Sequence, residues 1–249
     1  MSFNDKVVIV TGAGSGNGAG IAYLFAREAA NVVLVGRTEV KLKATAEKCE
    51  TFGRKPLVLP ADVSKDNDAK EIIEKTVQKF GKIDVLINNA AVLRDGSMLD
   101  GSVMQVYDEV LNTNLRAAVF LTSLAAPHLM KTKGNVVNIS SVASVMTPAV
   151  SQHISYYIAK AGLNHFTRCA ALEFAPHVRV NTAMFGLVKT DLLINAGYKD
   201  MKLEDFKDSV ALKRISEPEE VGELVLFLAS DKAKSITGIV FSADNGATL

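Results

Sequence analysis

Tyr156 and Lys160 are the two side chains of this sequence best suited to acid–base chemistry. They stand four residues apart at the start of a helical pattern, so both lie on one face of the helix, one turn from each other. A phenol held beside an ammonium can give a proton to a carbonyl oxygen or take one from an alcohol. Tyr157 has Ala161 four residues later, so only Tyr156 is in register with the lysine. Alone, this spacing is common on ordinary helix surfaces.

A glycine-rich turn near the start of the chain gives a second chemical signal. The segment 11–18, Thr-Gly-Ala-Gly-Ser-Gly-Asn-Gly, follows an apolar run directly and leads into a helical pattern that begins near Gly18. Its glycines let the backbone bend sharply and approach a ligand, while the free amides and dipole of a helix N-terminus attract a pyrophosphate. Glycine-rich turns alone are weak signals, but this position between strand and helix predicts a dinucleotide site.

The tyrosine needs a favourable environment to act near neutral pH. The pKa of a free tyrosine is about 10, so forming the phenolate costs roughly 4 kcal/mol. An ammonium about 4 Å away, at an effective dielectric constant of about 20, gives a comparable stabilisation before its own desolvation is counted. We therefore expect Lys160, together with the positive nicotinamide of an oxidised cofactor, to lower the pKa of Tyr156.

The elements that must position these residues alternate along the chain. Seven short runs are uniformly apolar, which suits strands covered by helices on both faces, and helical patterns lie between them. This alternation predicts an α/β fold with a doubly wound parallel sheet and a ligand crevice at the carboxyl ends of its strands. The expected strands are 7–10, 32–35, 57–59, 85–87, 136–139, 178–180 and 239–241, and the expected helices are 18–29, 39–52, 66–79, 102–130, 156–174 and 218–229.

One segment, from Leu187 to Arg214, interrupts the alternation with scattered apolar residues. It is too long for a plain connection in a compact domain, and such segments often serve as lids or binding elements. We expect a small helical lid near 190–213. The alternative is a helical surface insertion with no part in catalysis.

Composition narrows the class of protein. A chain of 249 residues fits one α/β domain, residues 1–249, with a large continuous core. Lys and Arg number 28 against 27 Asp and Glu, so no broad positive field favours nucleic acid. Apolar runs are far shorter than the roughly 20 residues of a membrane span. No charged leader precedes the first strand, so a cytoplasmic protein is expected.

Metal and disulfide chemistry are not expected. Cys49 and Cys169 each fall inside a helical pattern without a CxxC motif, which favours reduced, structural thiols. The histidines at 128, 153, 165 and 177 lack metal-ligand spacing beside carboxylates. His153 precedes Tyr156 closely, and either contacts substrate or is a solvated loop residue.

The glycine spacing of segment 11–18 resembles the TGxxxGxG turn of the short-chain dehydrogenase/reductase family. Further motifs follow in the family's order over essentially the whole chain. The resemblance implies a Rossmann-type sheet of about seven strands in the order 3-2-1-4-5-6-7. It also implies that Asp62-Val63 holds the adenine ring, that segment 88–90 corresponds to the NNAG motif, and that segment 185–190 lies against the nicotinamide carboxamide. Asn17 and Ala91 depart from the family pattern, and Phe185 replaces its usual proline.

The resemblance assigns the catalytic roles. Tyr156 corresponds to the family's acid–base tyrosine, and Lys160 would also hold the nicotinamide ribose. The family places a serine that binds the substrate oxygen at the end of the fifth strand, where register favours Ser141. Its separation from Tyr156, 156 − 141 = 15 residues, is longer than the family spacing and suggests an altered substrate wall. Alternatives are Ser140, Ala143 and Ser144, or serines that only cap the strand.

Asn114, in the segment Asn112-Thr113-Asn114-Leu115, corresponds to a family asparagine that binds a water linking Lys160 to solvent. The alternative is an amide that kinks the helix and has only a structural role. With Ser141, Tyr156 and Lys160, it completes the expected catalytic set.

The end of the second strand distinguishes two cofactors. In the family this point meets the adenosine ribose, and an acidic side chain there accepts from both hydroxyls of NAD. Here Gly36 and Arg37 stand instead, and the guanidinium offers a 2′-phosphate a charge-assisted contact worth roughly 1.5–3 kcal/mol. NADP(H) is therefore expected, with NAD(H) as the alternative because Glu39 lies nearby. The expected cofactor contacts are Gly12, Ser15, Gly16, Asn17, Gly18, Arg37, Asp62, Val63, Asn89, Ala90, Tyr156, Lys160, Gly186, Val188 and Thr190.

The expected function is an NADP(H)-dependent oxidoreductase that interconverts a ketone or aldehyde with its alcohol. The expected substrate wall is apolar and suits a medium-sized steroid, isoprenoid or other lipid. A 3-oxoacyl-thioester reductase is the alternative enzyme, because Arg94, Lys189 and Lys199 offer some basic character. A non-catalytic dinucleotide sensor is the alternative from another class. The wall would draw on Val92, Leu93, Arg94, segment 142–155, Phe185 and the lid.

The last elements carry an expectation about assembly. Segment 218–246 resembles the family's closing helix and strand, with Asn245 in place of a glycine. Because these elements pack subunits together in relatives, the resemblance implies a homotetramer or homodimer.

Overall fold

A computed structural model describes residues 2–146 and 150–249 and shows an α/β fold around one sheet. Seven parallel strands follow the order β3-β2-β1-β4-β5-β6-β7, which confirms the predicted fold class and strand order. The strands are β1 Val7–Thr11, β2 Asn31–Gly36, β3 Leu57–Pro60, β4 Val85–Asn88, β5 Asn135–Ser141, β6 Arg179–Phe185 and β7 Val240–Ala243.

Helices cover both faces of the sheet. Along β1 the side chains alternate, so Val8 and Val10 join one core cluster while Val7 and Ile9 join the other. Helices α1 and α8 contribute to the first cluster, and α3, α5 and α6 to the second. The helices are α1 Gly16–Arg27, α2 Glu39–Glu50, α3 Asp66–Phe80, α4 Val103–Leu111, α5 Ala117–Thr132, α6 Ile154–Phe174, α7 Leu192–Asn195 and α8 Pro218–Ala229.

Strand β6 extends well beyond the apolar run that predicted it. Asn181 and Thr182 interrupt the apolar pattern because they are polar, so the sequence predicts a shorter strand. Both residues are buried in the structure. The Asn181 amide donates to the carbonyl of Ile236 at 2.9 Å, and the hydroxyls of Thr182 and Thr167 are 2.7 Å apart. Satisfied hydrogen bonds make these buried polar residues compatible with a central strand.

The long helical pattern near 102–130 divides into α4 and α5. Between them, Asn112–Arg116 forms a single π-helical turn, a feature that is rare and frequent at functional sites. The predicted lid follows β6 and consists of α7 and a 3₁₀ helix over Leu203–Ser209. Within the described ranges, no helix combines the length and hydropathy of a membrane span.

Candidate active site

The turn after β1 has the backbone shape that its glycines predict. Gly12 and Gly16 have φ angles of +68° and +51°, a region that side chains with a Cβ rarely adopt. Gly18 has a packing role, because a Cβ there would lie 2.2 Å from the carbonyl oxygen of Gly12. The turn therefore depends on its glycines for its own conformation as well as for any close approach of a ligand.

Thr11 fastens this turn to the end of β4. Its hydroxyl donates to the carbonyl of Ile87 at 3.2 Å and accepts from the amides of Asn89 at 2.9 Å and Ala90 at 3.0 Å. The Asn89 side chain donates back to the Thr11 carbonyl at 2.8 Å. The carboxyl ends of β1 and β4, where the strand order reverses, are thus joined by side-chain hydrogen bonds.

A cleft of about 440 Å³ opens above these strand ends. Ten of the fifteen predicted cofactor contacts line it, and Gly18, Tyr156, Lys160, Gly186 and Val188 do not. Gly186 packs against Asp244, and Val188 is buried in the core, so these two lie behind the cleft surface. The predicted contacts along the cleft are Gly12, Ser15, Gly16, Asn17, Arg37, Asp62, Val63, Asn89, Ala90 and Thr190.

One end of the cleft is basic. Arg37 is exposed there and makes no ion pair or hydrogen bond within residues 2–146 and 150–249. Glu39, which the sequence leaves as a competing carboxylate, forms an ion pair with Lys43 at 2.8 Å. Lys41 also lines the cleft and reaches Asp191, at the start of the lid, at 3.0 Å. Two cations therefore border the region next to Asp62.

The residues of the cleft fit a dinucleotide. The turn places Gly16 so close to Thr190 that a Cβ at Gly16 would lie 2.9 Å from the Thr190 methyl carbon. The side-chain oxygen of Asn17 is buried without a hydrogen-bond partner among the described residues. Because a buried acceptor is costly to leave unpaired, it suits the hydroxyl and carboxamide donors of a nicotinamide dinucleotide.

Tyr156 and Ser141 meet where β5 ends and α6 begins. The Ser141 hydroxyl lies close enough to the phenol of Tyr156 to act on its pKa, and it accepts from the Ala143 amide at 3.2 Å. Ser140 points elsewhere, towards the carbonyl of Lys160 at 3.4 Å. Of the serines considered from the sequence, Ser141 is therefore the one whose hydroxyl acts on the tyrosine.

Lys160 is buried beneath Tyr156. Its ammonium donates to the carbonyl of Ile139 at 2.8 Å and lies 5.7 Å from the centre of the Tyr156 ring. Burial lowers the pKa of Lys160 to about 8, because a charge is poorly solvated there.

In the protein alone, Lys160 does not lower the pKa of Tyr156, and the joint effect expected from Lys160 and an oxidised nicotinamide stays a prediction. Burial raises the pKa of Tyr156 to about 12, although the Ser141 hydroxyl acts in the opposite direction. Desolvation of the phenolate outweighs the nearby ammonium, which is directed at a backbone carbonyl. At neutral pH the phenol is therefore protonated.

Asn114 lies in the π-helical turn and is buried. Its amide donates to the carbonyl of Val92 and its oxygen accepts from the Val92 amide, both at 2.8 Å. A cavity of about 10 Å³ between Asn114 and Lys160 has the size of one water molecule. The structural role is thus evident in the contacts, and the water-binding role stays a prediction.

The wall in front of Tyr156 is apolar. Val92 and Leu93 pack with Tyr156, and the lid contributes Leu192 and Leu193 to the same cluster. Phe185, which the sequence places near the substrate, instead lies in the core cluster of α1 and α8. Residues 147–149 of the predicted wall lie outside the described residues.

Three polar side chains, which we call the lid triangle, connect the lid to its surroundings: Asp95, His153 and Tyr198. The Tyr198 hydroxyl lies 2.8 Å from both oxygens of Asp95 and 3.0 Å from the Nε2 atom of His153. His153 Nε2 is itself 2.9 Å from Asp95. Two interpretations of His153 were open from the sequence, and in the structure its ring contacts Tyr198 of the lid and Asp95.

Comparison with known proteins assigns the family. A family model described as "Enoyl-(Acyl carrier protein) reductase" matches residues 12–248. The 3-oxoacyl-[acyl-carrier-protein] reductase of Thermotoga maritima is 34% identical over 254 residues, covering 100% of both chains. The meso-2,3-butanediol dehydrogenase of Serratia marcescens is 35% identical, covering 100% of this chain and 96% of the relative. This chain is a short-chain dehydrogenase/reductase.

Solved structures of short-chain dehydrogenase/reductases match the fold closely. One from Caenorhabditis elegans, of unknown function and with cofactor, has a TM-score of 0.91 and 32% identity, covering 99% of this chain and 96% of the other. Another from Burkholderia cenocepacia, in complex with NADP, has a TM-score of 0.90 and 26% identity, covering 100% of both chains. Membership in this family makes the chain an oxidoreductase that acts on the CH–OH/C=O pair.

Sequence reasoning missed several residues of this short-chain dehydrogenase/reductase site. Lys41 lies in the first turn of α2, just after Arg37 in the sequence, and this closeness along the chain could have indicated a second cation at the same place. The three residues of the lid triangle come from separate segments of the chain, so no local sequence pattern predicts their contact. Within the described chain, no His, Cys, Asp and Glu side chains gather as a metal site requires.

Proposed function

We propose that this chain is an NADP(H)-dependent reductase of a medium-sized hydrophobic ketone or aldehyde. The observation that carries the proposal is the pair of hydroxyls formed by Ser141 and Tyr156, which faces an apolar wall beside a dinucleotide-shaped cleft. Two hydroxyl donors converging on one point suit a carbonyl oxygen, which accepts two hydrogen bonds.

The preference for NADP(H) is supported by charge. Arg37 borders the cleft without an ion-pair partner among the described residues, whereas Lys41 is paired with Asp191 and the carboxylate of Glu39 is paired with Lys43. A 2′-phosphate would gain charge-assisted hydrogen bonds there, and the NADP complex of a structural relative is consistent with this. NAD(H) remains the alternative cofactor.

In the proposed mechanism, bound NADPH supplies a hydride for the carbonyl carbon. Ser141 donates a hydrogen bond to the carbonyl oxygen and orients it, and Tyr156 donates its proton to that oxygen as the alkoxide forms. The Ala143 amide, which donates to the Ser141 oxygen, strengthens the serine as a donor. Lys160 would hold the nicotinamide ribose and would offset the negative charge left on Tyr156. Asn114 anchors the water that passes a proton back to Lys160.

The protonation state favours the reductive direction. With its pKa raised to about 12, Tyr156 holds the proton that reduction consumes. Oxidation of an alcohol needs the phenolate, which burial disfavours. Near neutral pH, the proton that reduction consumes is therefore already in place on Tyr156.

The apolar cluster of Val92, Leu93, Leu192 and Leu193 supports a steroid, isoprenoid or similar lipid as the substrate class. A 3-oxoacyl thioester is the second candidate, because the Thermotoga maritima relative carries that activity in its name. Against it, Lys189 is engaged with Glu204 and Glu217 and Arg94 with Glu109, so their charges are already compensated.

We also infer a homotetramer or homodimer. Ile158 and Leu172 are 43% and 81% exposed on α6, and Ile239 is 47% exposed beside the edge strand β7. Exposed apolar side chains of this size are typical of surfaces that pack against another subunit.

A carbonyl panel tests the proposal. We expect NADPH oxidation with a 3-ketosteroid or farnesal to be faster than with 2,3-butanedione or an acetoacetyl thioester, and faster than with NADH. Tyr156→Phe should reduce kcat about a hundredfold or more, because the proton donor is lost, while Tyr157→Phe is the matched control. Preference for the thioester would establish the second candidate. No turnover of any member would refute the enzyme and support the dinucleotide sensor.

A further inference from the structure

Ser141 is held in place by a chain of hydrogen bonds that begins on α6. The Ser144 hydroxyl donates to the carbonyl of Ser141 at 2.6 Å, and the Asn164 amide donates to the Ser144 oxygen at 2.8 Å. Asn164 is buried, 7% exposed, and stands one turn beyond Lys160 and two turns beyond Tyr156 on the same helix.

The direction of this chain of bonds is fixed by the atoms present. The Ser141 carbonyl has no proton, so Ser144 must donate its single hydroxyl proton there. The Ser144 oxygen is therefore the acceptor in its hydrogen bond with Asn164, so the Asn164 group that faces it must be the donor. The chain of bonds runs from the Asn164 amide to Ser144 and then to the Ser141 carbonyl.

The result is a rigid connection between the two groups that face the carbonyl. Residues 142–144 form a single 3₁₀ turn, and the Ala143 amide donates to the Ser141 hydroxyl oxygen at 3.2 Å. Without the hydrogen bonds of Ser144 and Asn164, this turn would be held against α6 by Ser141 and by the apolar packing of Ala143 against the cluster around Tyr156. The long separation of Ser141 from Tyr156, 156 − 141 = 15 residues, makes such a fastening more important.

We propose that Ser144 and Asn164 are positioning residues that hold the Ser141 hydroxyl in register with Tyr156. This inference rests on the proposed carbonyl reduction. Neither residue touches the Tyr156 hydroxyl, so their effect passes through the backbone of Ser141.

Asn164→Asp tests the proposal with almost no change of shape. A carboxylate can only accept, so it competes for the one proton of Ser144 and removes the bond to Ser141. We expect kcat to fall about tenfold, with the KM for the carbonyl and the Kd for NADPH nearly unchanged. The assay uses the panel member that the unaltered chain reduces fastest, and NADPH binding is followed by its fluorescence.

Asn135→Asp is the matched control. Asn135 is also a buried asparagine, 6% exposed, and its amide donates to the Ala229 carbonyl at 2.9 Å. Like Asn164, it has a buried side-chain oxygen with no partner in the described part of the chain. It lies at the opposite end of β5, so its substitution should cost stability and leave kcat unchanged.

Ser144 supplies a second pair of variants if Asn164→Asp folds poorly. Ser144→Ala removes both bonds and should lower kcat by a similar factor, whereas Ser144→Thr keeps the hydroxyl and should restore most of it. Equal kcat in all these variants would overturn the proposal, as would an equal loss in Asn135→Asp.

Amide hydrogen exchange separates this inference from the proposed function. The segment 141–146 should exchange faster in Asn164→Asp and not in Asn135→Asp, because its turn loses its connection to α6. That measurement needs no substrate. If the panel shows no turnover, the proposed reductase activity fails, but faster exchange in Asn164→Asp still supports the positioning role of Ser144 and Asn164. Unchanged exchange overturns that positioning role, whatever the activity.

Discussion

Lys160 carries its charge in a buried place that is shielded from bulk water. Its single backbone contact, to the Ile139 carbonyl at 2.8 Å, compensates only part of the lost solvation. The pKa of Lys160 therefore falls from 10.5 to about 8. Between these two values the unfolded chain binds more protons than the folded one, so stability rises with pH across this window.

Lys160→Met should make the protein more stable at pH 7 while reducing its activity severely. At pH 7 the buried ammonium costs up to roughly 3 kcal/mol, a cost that methionine avoids, although the lost hydrogen bond to Ile139 returns part of it. The gain should shrink above a pH of about 10, where the lysine is neutral in both states. Urea unfolding at the two pH values measures this, and a variant less stable than the parent at pH 7 would contradict it.

At the scale of one side chain, the proposed preference for NADPH rests on Arg37. Arg37→Ala should weaken NADPH binding about tenfold to a hundredfold, because a charge-assisted contact with the 2′-phosphate is lost, and should leave NADH binding nearly unchanged. Fluorescence titration of each cofactor gives the two Kd values. Lys48→Ala is the control, since Lys48 lies on α2, the helix that follows Arg37, and stands outside the cleft lining. Equal weakening of both cofactors would show that Arg37 does not select between them.

The position of the lid depends on a few polar contacts in addition to its apolar packing. Its short helix α7 has apolar side chains in the cluster around Tyr156, and the lid triangle fastens the segment beyond it. Loops held by few contacts open more readily than the core. The lid triangle should therefore control how often the substrate wall opens.

Tyr198→Phe removes the hydroxyl that joins Asp95 and His153 to the lid. We expect amide exchange over residues 192–201 to accelerate about tenfold, as the loss of one or two hydrogen bonds implies. Tyr23→Phe is the control for the loss of a tyrosine hydroxyl elsewhere. Tyr23 lies on α1, and its ring packs against the ring of Phe52. An exchange rate that stays at the parental value would mean that apolar packing alone holds the lid.

The π-helical turn shows what an element-level pattern leaves out. Asn112–Arg116 has ordinary helical residues, and the apolar periodicity runs through it, so the sequence predicts one continuous helix over 102–130. The turn widens where Asn114 bonds with the Val92 backbone, which belongs to a distant loop. Local sequence does not encode a contact of that kind.

At the scale of the whole molecule, the sheet was predictable and parts of the site were not. Uniformly apolar strands, the glycine turn and the Tyr156–Lys160 spacing are local signals, and the fold follows them. The direction of the Tyr156 pKa depends on burial by Val92, Leu93 and the lid, which come from separate segments. Phe185 was misplaced for a similar reason, because the strand register that turns its ring to the core appears only in the folded sheet.

The hydrogen bonds of Thr11 have a consequence for the association rate and the binding enthalpy of a dinucleotide. They hold the floor of the crevice in its working shape through contacts internal to the chain, so a dinucleotide meets a surface that needs little rearrangement. The association rate constant should then approach the diffusional encounter rate. The temperature dependence of binding should reflect desolvation of the cleft more than ordering of its backbone. A valine at position 11 would keep the volume and lose this rigidity.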